Sequence, residues 1–200
     1  MIRITLAAVA VIAALTACGS PVQAGAAATL NDSTISSAEL NSAVADWQDL
    51  LKANPRAREQ LQLAFPESEQ RSVLTNLVQI EIGKQAAKDA GITISPAEID
   101  AVVTRLSGGR GQEAFDLGAM TIGVPPESSR DFAELVAIET RLGAGETTDA
   151  ARVSRVKGAL VKAAEKMKVK VNPRFGSFDL SAFSLTAPTT KLSAVETGTT

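Results

Sequence analysis

Histidine and tyrosine are absent from this chain of 200 residues, and cysteine occurs once, at Cys18. The lack of histidine removes the Ser/His/Asp and Cys/His nucleophile systems together with the commonest zinc ligand. A solitary cysteine has no partner within the chain, so no intramolecular disulfide forms even in an oxidising compartment. Cationic excess is missing too. The 20 Lys and Arg stand against 22 Asp and Glu, a balance without the electrostatic footprint that nucleic acid requires. Aromatic residues are limited to six Phe and one Trp. Chemistry is left to carboxylate, lysine and hydroxyl groups, so the expectation is no enzyme, no cofactor, no metal and no small-molecule substrate.

What the chain does hold begins with an address. Met1, Ile2 and Arg3 make a short cationic start, and "ITLAAVAVIAAL" then runs apolar for 12 residues before small residues and Cys18. This is the layout of a secretory signal, and it falls short of the roughly 20 apolar residues that span a bilayer. Leu15-Thr16-Ala17-Cys18 resembles the lipobox of bacterial lipoproteins, which implies a thioether to diacylglycerol on Cys18 and cleavage that leaves it as an acylated N-terminus. Two or three acyl chains suffice for stable anchoring, at about 0.8 kcal/mol per buried methylene. Ordinary secretory cleavage after Val22-Gln23-Ala24 is the competing reading. The expected organisation is a signal peptide over 1–17, a flexible tether over 18–26, a domain over 27–179 and a disordered tail over 180–200.

Alanine supplies about one residue in six, and alanine favours helix while adding little burial energy. Around Asn31-Asp32 a short strand or hairpin is expected. Ser36-Ser37-Ala38-Glu39 fits a capping box, and Leu40, Val44, Trp47 and Leu51 follow at helical spacing. That helix should stop before Asn54-Pro55. An ancillary turn precedes a long helix from Glu67 to Ala90, apolar on more than half its circumference, with Gly91 as its stop. Ser95-Pro96-Ala97-Glu98 opens the next helix, with Ile99, Val102, Val103 and Leu106 inward. A weak turn around Phe115 leads to a helix over Ser129 to Leu142, whose stripe is Phe132, Leu135, Val136 and Ile138-Glu139. The last long helix, Asp149 to about Lys168, carries Val153, Val156, Leu160, Ala164 and Met167 inward. Val169 and Val171 then alternate as a strand, expected to pair with Ala28 to Asn31 because a lone strand leaves its backbone groups unpaired.

Other candidate motifs have bland readings. "SGGRG" has neither a P-loop lysine nor a preceding strand. Glu98 and Asp100 lie in a first helical turn, where carboxylates favour the macrodipole. Asp32 with Glu39 falls short of a calcium shell. Lys157, Lys162, Lys166, Lys168 and Lys170 read as a solvated face, with anionic headgroups as the alternative.

In its order of elements, and most specifically in "AAKDAGITISPAEIDAVV" and "VNPRFGSFD", the chain resembles the N-terminal domain of SurA- and PrsA-type extracytoplasmic chaperones, particularly actinobacterial lipoprotein versions, over about residues 27 to 179. The resemblance implies a mainly α domain with short terminal strands that pair. It also implies a lipid-anchored, extracytoplasmic module on the cell membrane that binds unfolded or newly secreted polypeptides. Prolyl isomerase activity is not carried over, because no residues remain for a parvulin domain. An envelope adaptor with one specific partner is the alternative. Trp47, Phe65, Phe115, Met120 and Phe132 are the candidate peptide contacts, as large apolar residues near helix ends or breaks.

Overall fold

The computed structural model describes residues 24–31 and 33–188. The signal sequence, Cys18, Asp32 and residues 189–200 of the expected tail lie outside the described residues.

Two antiparallel strands, β1 (Ala26–Leu30) and β2 (Ser33–Ser36), open the fold as the expected hairpin. Ser36 then caps α1 (Ser37–Ala53). Its hydroxyl accepts from the Glu39 N–H at 3.0 Å, and the Glu39 carboxylate accepts from the Ser36 N–H at 3.4 Å. These two bonds satisfy donors that a helix start leaves free. α1 ends at Asn54, and Pro55 begins the short α2 (Pro55–Glu59). Ser68 caps α3 (Glu69–Asp89). At its far end Gly91, at φ +65°, turns the chain so that the Ile92 N–H reaches the Ala87 carbonyl and the Gly91 N–H reaches that of Lys88, a Schellman stop. The Ser95–Glu98 capping box opens α4 (Pro96–Leu106) as expected. α5 (Gln112–Thr121), α6 (Ser129–Leu142) and α7 (Asp149–Met167) complete seven α-helices among the described residues.

The main core forms around α3. Val73, Leu74, Val78, Ile82 and Ala86 are buried against Leu40 and Val44 of α1, Ile138 and Leu142 of α6, and Leu160, Ala163 and Met167 of α7. Contact on several sides is what the broad apolar surface of α3 requires. Two smaller clusters flank it. Val102, Val103, Phe115, Ala133 and Ala137 join α4, α5 and α6, and Trp47, Leu51, Ala57 and Met120 join α1, α2 and α5.

After α7 the strand β3 (Lys170–Val171) pairs antiparallel with β1, Ala28 opposite Val171 and Thr29 opposite Lys170. The Asn31 N–H donates to the Met167 carbonyl and the Asn172 N–H to that of Ala27, both at 2.8 Å. The expected pairing is therefore present, in a three-stranded sheet of order β2-β1-β3.

Several expectations need correction. Ala26 is a buried strand residue, so structure begins inside the expected tether. The weak turn near Phe115 is the ten-residue helix α5. Leu106 is 46% exposed, because α4 ends there and the chain turns away through Ser107 and Gly108. The first part of the expected tail is a hairpin of β4 (Ser177–Asp179) and β5 (Ser184–Thr186). Buried Leu185 anchors it, and the Phe178 and Phe183 rings meet edge to face at 5.7 Å.

Candidate functional site

α7 is longer than the surface it packs on. Leu160, Ala163, Ala164 and Met167 close onto the core, whereas Val153, two turns earlier on the same stripe, is 66% exposed. The sequence reading placed Val153 inward, and the structure corrects this: no helix lies over the first turns of α7. The result is an open groove of about 410 Å³ between α6, α7 and the β4–β5 hairpin. Glu139 and Thr140 of α6 form one wall and Arg152, Val153, Val156, Lys157 and Leu160 of α7 the other, with Phe183 at the hairpin end.

Each wall is held from behind. Phe183, at φ +51°, is fixed by its ring contact with Phe178 and by the Gln79 side-chain amide of α3, which donates to its carbonyl at 2.7 Å. The hairpin turn is tied by Asp179, whose carboxylate accepts from the Ser181 hydroxyl and from the N–H groups of Ser181 and Ala182. The Ser181 hydroxyl first, then those backbone donors, hold the Asp179 carboxyl below its ordinary range, and the charge of Lys157 acts in the same direction. Thr140 turns its hydroxyl back to the Val136 carbonyl of its own helix at 2.8 Å. Arg152 pairs with Asp149 at 3.0 Å.

Glu139 stands apart. Burial raises its pKa, and no cation contributes to the shift. Among the described residues no hydrogen bond or ion pair reaches its carboxylate. An apolar trough with one poorly solvated carboxylate suits the binding of an apolar segment whose N–H or cationic groups supply the missing donor. Among the described residues no group of three or more His, Cys, Asp or Glu could hold a metal.

The residues singled out from the sequence do not converge on this groove or on one another. Trp47 is fully buried, its indole N–H donating to the Met120 carbonyl at 2.9 Å, and the Met120 side chain is buried beside it. Phe115 is buried against Phe132 with ring centroids 6.4 Å apart, and Phe132 is half-buried. Phe65 is half-buried under the Arg71 guanidinium, 4.8 Å from its ring centre. Trp47, Phe115 and Met120 are thus interior residues, because the helix breaks near them fold back as packing corners. The groove residues were missed for the opposite reason: their stripe looked like core. One signal was available in Glu139, a carboxylate within the apolar stripe of α6.

A mainly helical body, closed by a sheet that takes a strand from each end of the described chain and bearing an open apolar groove, is of the chaperone-domain class. The family model of the SurA-like N-terminal domain matches residues 1–117, more than half of the chain, and the chain belongs to that family, whose domain is of a chaperone type. The match ends within α5, so the groove lies beyond it. No curated protein and no solved structure matches the chain.

Proposed function

We propose that the protein is a lipid-anchored chaperone-like module on the extracytoplasmic face of the cell membrane. It holds extended or unfolded polypeptides and does not catalyse prolyl isomerisation. The observation that carries this reading is the groove beside exposed Val153, an apolar surface on a rigid helical frame of the kind that accepts a peptide. Binding is weak, in roughly the micromolar range, because ordering a disordered client offsets much of the burial.

Two measurements test the reading. The unacylated chain from Gly19 onward keeps every described residue, and at near-stoichiometric ratios it should slow the aggregation of several unrelated unfolded proteins while leaving proline isomerisation at its uncatalysed rate. Val153→Asp, at a position too exposed to disturb the core, should remove most of that protection. Equal protection by parent and variant would dissociate the activity from the groove, and no protection of any client would favour the single-partner adaptor. Anchoring is tested separately. Cys18→Ser should abolish acylation, leaving uncleaved precursor or released protein, as read by a lipid label with membrane fractionation. Normal processing and retention of the variant would remove the anchor from the proposal.

A further inference from the structure

The charge of the molecule is strongly uneven. Between Asp149 and Lys170 there are seven cationic and two anionic side chains, in a chain whose net charge is −2. α3 and α7 run in the same direction. Gln79, midway along α3, reaches Phe183 beside the first turns of α7, and Asp89 at the end of α3 pairs with Lys166 in the last turn of α7. Their C-termini consequently lie side by side, with β3 following. This end of the molecule gathers Lys88, Lys162, Lys166, Lys168 and Lys170, all of them exposed. Lys166 is paired with Asp89. Lys162, Lys168 and Lys170 have no ion pair among the described residues. Helix macrodipoles favour cations in a last turn, which covers Lys88 and Lys166 but neither Lys162, farther back on α7, nor Lys170, on a strand.

Two distances give this end a direction. Lys170 lies opposite Thr29, four strand residues from Gly25, or about 13 Å. From Gly25 back to Cys18 are seven residues, which reach at most about 25 Å. A chain held at Cys18 therefore keeps the lysines within reach of the surface that holds it. Val153 lies at the other end of α7, fifteen residues from Lys168, or about 22 Å along the helix.

We infer that the lysine-rich end formed by the C-termini of α3 and α7 and by β3 docks on the anionic phospholipid headgroups of a bilayer, with the groove turned away from the surface. The inference rests on the membrane location proposed above and adds an orientation to it: the lipid fixes the protein to the bilayer, and the lysines decide which end faces down. The driving force is charge complementarity, so it weakens as salt screens it.

Co-sedimentation of the unacylated chain from Gly19 onward isolates this contact from the anchor. Vesicles of equal parts phosphatidylglycerol and phosphatidylcholine should bind the protein at low salt, and vesicles of phosphatidylcholine alone should not. The triple variant K162Q/K168Q/K170Q should lower partitioning about a hundredfold, since each lysine near an anionic surface is worth about a factor of five. Its circular dichroism should match the parent, because all three side chains are exposed, and Val153→Asp should bind vesicles like the parent. Equal binding to both vesicle types, no binding to either, or full binding by the triple variant would overturn the inference. Lysine-dependent binding to poly-glutamate that exceeds binding to the anionic vesicles would overturn it too, and would reassign the patch to an acidic polypeptide. Because no acyl chain is present, failure here leaves the lipidation result at Cys18 untouched.

Discussion

Glu139 is the residue at which stability and binding meet. Burial raises its carboxyl pKa above the ordinary range, so between the unfolded and folded values the native state holds more protons than the unfolded state. Stability must then fall as pH rises through that window. Replacing the carboxylate by a neutral isostere removes the cost of burying a charge while keeping the shape. Glu139→Gln is therefore expected to melt at a higher temperature than the parent at pH 7 and at the same temperature near pH 3, where the parent carboxyl is already protonated. Thermal melts followed by circular dichroism at the two pH values decide this. A variant that melts below the parent at pH 7 would mean that the carboxylate has a stabilising partner, and the reading of the groove would change with it. Nothing local in the sequence marks this position except its charge, because the apolar residues before it set the stripe and the shape of the trough depends on α7.

At the scale of elements, what was legible was what is local. The two capping boxes, the stripe of α1, the Gly91 stop and the β1–β3 pairing each depend on a few neighbouring residues or on the need to satisfy a strand, and the structure contains all of them. The β4–β5 hairpin was not legible. Its residues are mostly Ser, Thr and Ala, the composition of an unstructured tail, and its stability comes from distant partners such as Gln79. Gly176 is its most demanding position. It has φ +108°, and a Cβ there would stand 1.7 Å from the Thr186 carbonyl oxygen. Gly91 also has positive φ, but a Cβ there meets nothing within 4 Å. Gly91→Ala should therefore cost only the left-handed penalty of about 1–2 kcal/mol, whereas Gly176→Ala must also push the two strands apart and should cost more. In paired melts, the drop in midpoint for Gly176→Ala should exceed that for Gly91→Ala, and fluorescence labelling at Phe183→Cys should show the hairpin turn loosened only in the former. Equal drops would mean that the hairpin contributes nothing to the fold.

For the whole molecule, the family match and the folded unit have different extents, and the difference has a physical consequence. The matched residues, 1–117, include α3 with its broad apolar surface, yet α6, α7 and β3, which cover much of that surface, come later in the chain. Ile138, Leu142, Leu160, Met167, Val171, Phe175 and Leu185 are all buried in the main core with α3 and all lie beyond residue 117. The β3 strand that closes β1 is also beyond it. Burying one such side chain stabilises by about 1.5–3 kcal/mol, whereas a domain has only about 5–15 kcal/mol of net stability. Losing seven of them removes roughly the whole margin, and the α3 surface left behind would be an apolar patch with no cover. A fragment of residues 24–117 is therefore expected to lack a cooperative thermal transition and to bind a hydrophobic dye, while residues 24–188 melt in a single step. The sole tryptophan supplies a second readout, since Trp47 is enclosed by Met120 and Leu117 from α5. The fragment removes Met120, so its tryptophan emission should resemble that of a solvent-exposed indole. A cooperative melt and a buried tryptophan in the fragment would show that the matched portion folds alone. The helices after α5 would then be an appended layer rather than half of the core.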